Sequence, residues 1–192
     1  ACGGATTTDV MNNQIASVTS TTALVTITIG GNDAGFSSVI TECAKPALLS
    51  DCAGKVSTAQ SFIANTLPGR LNTVFSAIKS RAPSAKVLVL DYPRLFNGTD
   101  CNAATFFSPD DETRLNATAD QLRSVESARA AAYGFTFRDV IPAFVGHAVC
   151  DSPEWLNGLS NPTSESYHPN RTGQASGYTP TVSPYLTGST VT

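Results

Sequence analysis

Two short apolar runs, each ending in a turn, constrain the fold of this chain most strongly. Residues 23–29 (ALVTITI) are rich in β-branched side chains and end at Gly30 and Gly31, and residues 86–90 (KVLVL) form a second run of the same kind. Runs of this length and composition are typical of buried strands. A strongly helical stretch at residues 57–82 separates them. Strands that alternate with helices predict a parallel sheet packed between helical layers.

The rest of the chain continues this alternation of helices and strands. A third strand is predicted at residues 135–141, after a helix over 108–133 that opens with Ser-Pro-Asp-Asp-Glu, a typical helix start. No linker divides the sequence, so we predict a single α/β/α domain over residues 1–192. The remaining predictions are a helix at 6–18, a short helix at 35–41, a cysteine-bracketed loop at 43–52, a helix break at Pro68 and Gly69, and a short helix after Asn170.

The charge balance limits the classes of partner. Lys and Arg number 12 and Asp and Glu 15, which gives a formal net charge of −3. A broad nucleic-acid surface needs a dense positive field, so we expect no nucleic-acid partner. No apolar run approaches the roughly 20 residues of a membrane-spanning helix, so we expect no integral membrane segment.

Five cysteines indicate an oxidising compartment. They show neither C-x-x-C nor a Cys/His zinc spacing, and they stand in a chain with 14% charged residues, 20 serines and 24 threonines. This combination is typical of disulfide cysteines in a secreted protein. The spacing between neighbours favours the pairs Cys43–Cys52 and Cys101–Cys150, although five cysteines allow 15 arrangements of two bridges and one remaining thiol. In the favoured arrangement Cys2 is left over.

The turn after the first strand carries a candidate oxyanion donor. In Gly30-Gly31-Asn32-Asp33 the glycines permit a tight turn, which would present the Asn32 amide at the mouth of the sheet. In parallel sheets, ligands bind beyond the carboxyl ends of the strands. A neutral amide stabilises a developing oxyanion without acting as an acid. The alternative is an ordinary strand-to-helix turn, and we interpret Asp33 as a structural helix cap.

Two histidines are candidates for a catalytic base. His168 precedes Pro169, which restricts it to extended backbone, and Glu165, three residues earlier, is close enough in sequence to orient the imidazole. The alternative is a histidine in a surface loop. His147 has no comparable acidic residue before it, and we interpret it as structural.

Three sequence blocks together resemble a known superfamily. They are GGND after a buried strand, Gly-Ala-Thr-Thr at residues 4–7, and Tyr-His-Pro-Asn at residues 167–170. In this order they resemble the SGNH, or GDSL-type, hydrolases, and most of all the secreted actinobacterial-type esterases, lipases and phospholipases A. The resemblance covers nearly the whole chain. It implies a flavodoxin-like α/β/α sandwich, a serine-type ester hydrolase that needs no metal or organic cofactor, an ester or lipid substrate, and secretion.

The resemblance also implies roles for individual residues. The oxyanion hole would be built from the nucleophile's own amide, the Gly4 amide and the Asn32 side chain, with His168 as general base. In one interpretation Glu165 orients His168. In the other, which some close relatives of the superfamily follow, the backbone carbonyl of Ser166 orients it.

The nucleophile block of the superfamily is missing from the sequence. None of the 20 serines stands in a Gly-Asp-Ser sequence. The resemblance implies that this block precedes the present sequence, together with the first strand or strands of the sheet. Residues 23–29 would then form an exposed apolar edge, and we expect that the chain does not fold alone. The resemblance further implies a separate N-terminal peptide that is disulfide-linked through Cys2 and supplies the serine. The alternative is a catalytically incomplete fragment that serves as a binding or structural module.

Five aromatic side chains are candidates for the wall of an apolar acyl pocket: Phe36, Phe96, Phe106, Phe107 and Trp155. Core packing is the alternative interpretation for each of them. A pocket of this kind would suit the acyl chain of a lipid or of another ester.

Overall fold

A three-stranded parallel sheet with helices around it forms the centre of the structure, a computed structural model that describes residues 3–186. The strands are β1 (Leu24–Ile27), β2 (Lys86–Leu90) and β3 (Thr136–Arg138), and the α-helices are α1 (Thr7–Asp9), α2 (Phe36–Cys43), α3 (Cys52–Asn65), α4 (Leu67–Arg81), α5 (Pro109–Ala132) and α6 (Thr179–Leu186). The strand order is β1-β2-β3, with Leu24 opposite Lys86 and Leu88 opposite Thr136. This arrangement confirms the predicted parallel α/β fold.

Two of the three strands are shorter than the sequence predicts, whereas β2 has its predicted length. The predicted strand at 23–29 ends at Ile27, because the chain then leaves the sheet for the turn at Gly30, whose φ is 120°. The predicted strand at 135–141 ends at Arg138. There the Asp139 side chain accepts a hydrogen bond from the Ile141 amide at 2.9 Å, which starts a 3-10 turn instead.

The helical segments at the two ends of the described chain are irregular. The predicted helix at 6–18 begins with a capping box between Thr6 and Asp9, as helix starts commonly do. After one α-helical turn it continues as a π-helical and then a 3-10 turn, so only its helical character is confirmed. The short non-α turns of the chain are Val10–Gln14, Ile15–Ser17, Ala47–Leu49, Ile141–Phe144, Thr163–Glu165 and Gly173–Tyr178.

The long helical stretch divides near the predicted proline. The helix predicted from residue 57 begins five residues earlier, because Asp51 caps α3 by accepting a hydrogen bond from the Gly54 amide at 3.1 Å. The break falls at Thr66, two residues before Pro68, and Pro68 then lies in the first turn of α4. A proline in a first helical turn removes no helical hydrogen bond, which explains why the break precedes it.

The start of α5 matches the sequence signal. Ser108 accepts a hydrogen bond from the Asp111 amide at 3.1 Å, and the Asp111 carboxylate accepts one from the Ser108 amide at 3.2 Å. Gly134 follows the helix with a φ of 67°, a conformation that favours glycine. The helix therefore ends where the sequence predicts.

The apolar core lies on both faces of β2. Val87 and Val89 belong to one cluster, which is centred on α4, and Leu88 and Leu90 belong to the other, which includes α2 and the loops that follow the strands. This alternation is the ordinary two-residue period of a strand that is buried on both sides.

One edge of the sheet has no partner strand among residues 3–186. β1 pairs with β2 on one side only, and its side chains are half-buried or exposed, whereas four of the five residues of β2 are buried. β1 therefore presents unpaired backbone hydrogen-bonding groups on its other side.

Two disulfides join the cysteine pairs favoured by their spacing. Cys43 is bonded to Cys52, and Cys101 to Cys150. Cys2, the predicted link to a further peptide, lies outside the described residues. Among the described helices, none combines the length and apolar character that a membrane crossing requires.

Candidate active site

The two glycines of the turn after β1 lie where a side chain would have little room. A Cβ atom on Gly31 would lie 3.2 Å from the Tyr92 ring, and one on Gly30 would lie 3.2 Å from the Leu67 side chain. The Gly31 amide also donates a hydrogen bond to the Tyr92 hydroxyl at 3.4 Å. The turn is thus packed against Tyr92, two positions after the end of β2, and this packing positions Asn32 at the carboxyl edge of the sheet.

The two predicted oxyanion donors of this chain lie close together. The Asn32 Nδ2 atom donates a hydrogen bond to the Ala5 carbonyl oxygen at 3.3 Å, which places Gly4, the preceding residue, beside the Asn32 side chain. Gly4 has a φ of 77° and is exposed. Because an amide nitrogen carries two hydrogens, Asn32 retains a second donor after binding Ala5.

Asp33 connects this turn to the beginning of the chain. Its buried carboxylate accepts hydrogen bonds from the Thr7 amide at 2.9 Å and the Thr7 hydroxyl at 2.5 Å, and Arg70 lies 3.2 Å away. The structural role predicted for Asp33 is confirmed, but its predicted role as a helix cap is wrong. Gly35 occupies the cap position of α2, and the carboxylate of Asp33 is engaged by Thr7 instead.

His168 lies in a loop held by backbone hydrogen bonds. The Asn157 amide donates to the His168 carbonyl at 3.0 Å, and the Tyr167 amide donates to the Asn157 carbonyl at 2.9 Å. The Nδ1 atom of the imidazole is 2.8 Å from the backbone carbonyl oxygen of Ser166. A carbonyl oxygen only accepts hydrogen bonds, so Nδ1 carries the hydrogen and Nε2 is left with a free lone pair.

Glu165 contributes to this loop through its backbone. Its carbonyl accepts hydrogen bonds from the Asn157 side chain at 3.0 Å and from the His168 amide at 3.3 Å. Its side chain is exposed, and within residues 3–186 no hydrogen bond joins the carboxylate to the imidazole. Of the two predicted orienting groups, the Ser166 carbonyl is therefore the one in contact with His168.

The second histidine has both its ring and its Nδ1 atom engaged by other groups. The His147 Nδ1 atom is 2.8 Å from the Pro153 carbonyl oxygen, and its ring stacks on Trp155 with the ring centres 3.7 Å apart. These contacts agree with the structural interpretation of His147.

The Asn32 turn and the His168 loop are related through the start of α2. The turn itself packs against Leu67 and Tyr92, which belong to the cluster of Val87 and Val89. Phe36, the first residue of α2, and Tyr167, immediately before His168, both contact the cluster that contains Leu88 and Leu90. No hydrogen bond joins Asn32 to His168 among the described residues.

Comparison with known proteins identifies the family. The sequence model of the GDSL-like Lipase/Acylhydrolase family matches residues 1–175. The chain belongs to this family. Its curated relatives include Lipase 1 of Streptomyces coelicolor, which is 43% identical over 184 residues, and the lipase of Streptomyces rimosus, which is 44% identical over 183 residues. Each of these matches covers 95% of this chain and 67% of the relative.

Solved structures of similar proteins share the fold of this GDSL-family chain. The extracellular lipase of Streptomyces rimosus superimposes with a TM-score of 0.88 at 41% identity, covering 98% of this chain and 78% of the lipase. Phospholipase A1 of Streptomyces albidoflavus gives a TM-score of 0.88 at 42% identity, covering 95% of this chain and 77% of that enzyme. The likeness extends over almost all of the GDSL-family chain.

The aromatic candidates of the GDSL-family chain have different environments. Phe96 and Phe107 are buried, with ring centres 4.9 Å apart, and both pack against the Tyr167 ring. Their position is that of core residues beneath the His168 loop. Phe36 and Trp155 are only partly buried, and Phe106 is exposed.

A buried polar cluster behind the Asn32 turn was not predicted. The Asp91 carboxylate accepts a hydrogen bond from the Val140 amide at 2.7 Å, and burial together with the nearby Asp139 charge raises the pKa of Asp91 to about 7. Burial also raises the pKa of Glu126 well above its ordinary value, and the charge of Asp91 adds to this effect. Neither carboxylate oxygen of Glu126 has a hydrogen-bond partner among the described residues. The position of Asp91 after β2 was the only sequence signal for this cluster.

Over residues 3–186, no group of three or more His, Cys, Asp or Glu side chains is placed to hold a metal ion.

Proposed function

We propose that this chain forms the larger part of a serine-type carboxylic ester hydrolase that cleaves lipid or other acyl esters through an acyl-enzyme. The proposal rests on one observation above all: in a member of an acylhydrolase family, the His168 Nδ1 atom is 2.8 Å from the Ser166 carbonyl. This contact leaves the His168 Nε2 atom as a proton acceptor, which is what a general base requires.

In the proposed mechanism, His168 Nε2 takes the proton of a serine hydroxyl as the serine oxygen attacks the ester carbonyl carbon. The carbonyl oxygen becomes an oxyanion, which accepts hydrogen bonds from the Gly4 amide, the Asn32 side chain and the serine's own amide. The tetrahedral intermediate collapses to an acyl-serine, and His168 gives its proton to the departing alcohol. A water molecule, deprotonated by His168, then attacks the acyl-serine; the bond between the acyl carbon and the serine oxygen breaks, the acid is released, and His168 returns the proton to the serine oxygen.

The contacts of Asn32 support its part in this mechanism. Its hydrogen bond to Ala5 fixes the orientation of the amide and leaves its second hydrogen available. The packing of Gly31 against Tyr92 fixes the backbone immediately before Asn32. When a hydrogen-bond donor is already in position before the reaction, little free energy is spent on reorganising it as the oxyanion forms.

We further propose that the serine nucleophile is carried by a separate N-terminal segment, linked through Cys2, and that activity requires this segment. The absence of a Gly-Asp-Ser sequence and the unpaired side of β1 support this proposal. With that segment, residues 1–192 would make up one domain of a secreted enzyme. Secretion is supported by the two disulfides and by the likeness to a lipase described as extracellular.

Mass spectrometry and active-site labelling test these proposals on the native protein. We expect reduction to release a second polypeptide, and a serine-directed organophosphonate to label that polypeptide and abolish hydrolysis of a dissolved short-chain ester. The matched control is His168→Ala, which should keep both polypeptides and lose turnover. One unchanged mass with a free Cys2 thiol would refute the separate segment. Absence of both turnover and label would favour the alternative, a binding or structural fragment that lacks catalysis.

A further inference from the structure

Three of the six large apolar side chains that are exposed among the described residues lie on two loops joined by a backbone hydrogen bond. Leu48 is 99% exposed and Leu49 is 72% exposed, and both lie between the cysteines of the Cys43–Cys52 disulfide. Phe106, in the loop that begins near Cys101, is 53% exposed. We call Leu48, Leu49 and Phe106 the apolar rim. Exposed apolar groups that lie together on a protein surface commonly mark an interaction site.

The loop that carries the two leucines is tied down. Besides the disulfide, the Asp51 amide donates to the Glu42 carboxylate at 2.9 Å, and the Ser50 hydroxyl donates to the Glu42 carbonyl at 2.8 Å. The Leu49 amide donates to the Pro46 carbonyl at 2.8 Å and closes a 3-10 turn. The leucines are therefore presented on a fixed support, so binding through them costs little conformational entropy.

The third member of the apolar rim joins this loop to the candidate active site. The Phe106 amide donates to the Ala44 carbonyl at 3.1 Å, next to the disulfide loop. The following residue, Phe107, packs its ring against Tyr167, with the ring centres 5.8 Å apart. Tyr167 immediately precedes His168. The apolar rim and the proposed base are thus linked through one short series of contacts.

The charged groups around the apolar rim carry no excess of positive charge. Lys45 forms an ion pair with Glu42 at 2.6 Å, and Lys55 also interacts with Glu42. Asp51 also lies in this region, and Asp100 accepts hydrogen bonds from the Thr105 hydroxyl and the Phe107 amide on either side of Phe106, so two cations face three anions. A surface with protruding leucines and no excess of positive charge suits an uncharged or zwitterionic lipid surface better than an anionic one.

We propose that the apolar rim docks this protein on a zwitterionic lipid surface, by insertion of Leu48, Leu49 and Phe106 among the lipid chains. This inference rests on the proposed function, since it supplies the surface on which ester substrates would be reached. Insertion of side chains on a rigid loop beside the His168 loop would bring the site to the lipid without a membrane-spanning segment.

Binding of the native protein to vesicles of ether-linked phosphatidylcholine tests the proposal, because such lipids offer no ester to hydrolyse. We expect Leu48→Ser combined with Leu49→Ser to weaken vesicle binding by about tenfold or more, since burial of one leucine changes an equilibrium by about that factor. The matched control is Leu186→Ser, which removes a leucine that is 59% exposed outside the apolar rim, and it should bind like the wild type.

A second variant reports insertion directly. Leu48→Trp should show a blue-shifted emission with vesicles and quenching by brominated lipid, against the single native tryptophan, Trp155. Wild-type protein that ignores the vesicles, or a double serine variant that binds as well as wild type, would overturn the proposal. Two further outcomes would overturn it. One is a dimer contact formed by the apolar rim, detected as self-association by sedimentation. The other is an apolar rim covered by the N-terminal segment, detected as Leu48→Trp emission that is already blue-shifted without lipid. Hydrolysis of a dissolved ester is measured separately, so loss of the proposed activity would not be confused with loss of docking.

Discussion

The imidazole of His168 donates a hydrogen bond from Nδ1 to the backbone carbonyl oxygen of Ser166, two residues before it in the chain. The partner is backbone, so no side-chain substitution of a nearby acid removes it. Ser166 itself is buried, and its hydroxyl accepts a hydrogen bond from the Ser160 amide at 2.9 Å, which holds the carbonyl in place. A neutral carbonyl fixes the tautomer of the imidazole without adding a negative charge next to it.

Replacement of Glu165 therefore tests which group orients the base. Because its carboxylate makes no hydrogen bond to the imidazole in the described structure, we predict that Glu165→Gln keeps kcat within about threefold of wild type, well below the tenfold that 1.4 kcal/mol represents. The measurement is ester hydrolysis by the native protein, and His168→Ala serves as the control that is expected to be inactive. A fall of a hundredfold or more would assign the orienting role to the carboxylate.

Removal of the Asn32 amide should impair the chemical step. Loss of one oxyanion donor commonly lowers kcat by about 10²–10³. We predict a loss of this size for Asn32→Ala, with the unfolding transition little changed, because among residues 3–186 the 3.3 Å hydrogen bond to Ala5 is the only one that this side chain makes. Steady-state kinetics together with urea unfolding measure both effects. Unchanged activity would remove Asn32 from the site.

Tyr92 is predicted to act as a positioning residue for the Asn32 turn. Tyr92→Phe removes the hydroxyl that accepts the Gly31 hydrogen bond, and we expect kcat to fall by up to about tenfold, the effect of one net hydrogen bond, with KM unchanged. Gly31→Ala should lower kcat further, since its Cβ would lie 3.2 Å from the Tyr92 ring. A positioning role would be contradicted if either variant changed kcat and KM by equal factors. It would also be contradicted if the variants lowered the fraction of folded protein without changing the kcat of the folded part.

Asp33 should be important for stability. We predict that Asp33→Ala lowers the free energy of unfolding by about 2–3 kcal/mol, because two hydrogen bonds from Thr7 to a buried carboxylate are lost. Chemical denaturation of the native protein measures this change. The matched control is Asp110→Ala, an exposed acid in the first turn of α5, for which we expect a loss below about 1 kcal/mol. Equal losses in both variants would contradict the importance of the Thr7 contact.

The buried carboxyls near the Asn32 turn predict how stability depends on pH. The raised pKa values of Asp91, about 7, and of Glu126 mean that the folded protein binds more protons than the unfolded chain between about pH 4 and 7. The free energy of unfolding should therefore decrease as pH rises through this range, by up to about 1.4 kcal/mol per pH unit for each proton. Glu126→Gln, which cannot lose a proton, should show a shallower decline in urea unfolding between pH 5 and 8. Parallel curves for variant and wild type would refute this assignment.

The elements that the sequence predicts well are those whose local pattern is decisive. β2 has its predicted bounds because it is buried on both faces, and α5 begins at Ser108 because the capping box is local. The ends of β1 and β3 were misplaced because a glycine turn and the Asp139 side chain end the strands before their β-branched composition does. Strand composition alone does not report where pairing stops.

The candidate site shows the same division. Asn32 and His168 lie in compact motifs, so they were predicted from short stretches of sequence. The contacts between Asp33 and Thr7, and between Tyr92 and Gly31, join residues 26 and 61 positions apart, and only the folded chain brings them together. The environment of Glu126 likewise could not be predicted from the sequence. Helical periodicity indicates which side of a helix faces inward, but it does not indicate which charged groups lie opposite that side.

Neither cystine crosses the sheet: one joins the end of α2 to the start of α3, and the other joins two loops. Reduction should therefore loosen the segments around the proposed catalytic residues while the strands and their apolar layers stay assembled. Thiols would then abolish the proposed activity at concentrations below those that unfold the protein. The redox state of the surroundings would affect activity separately from the fold.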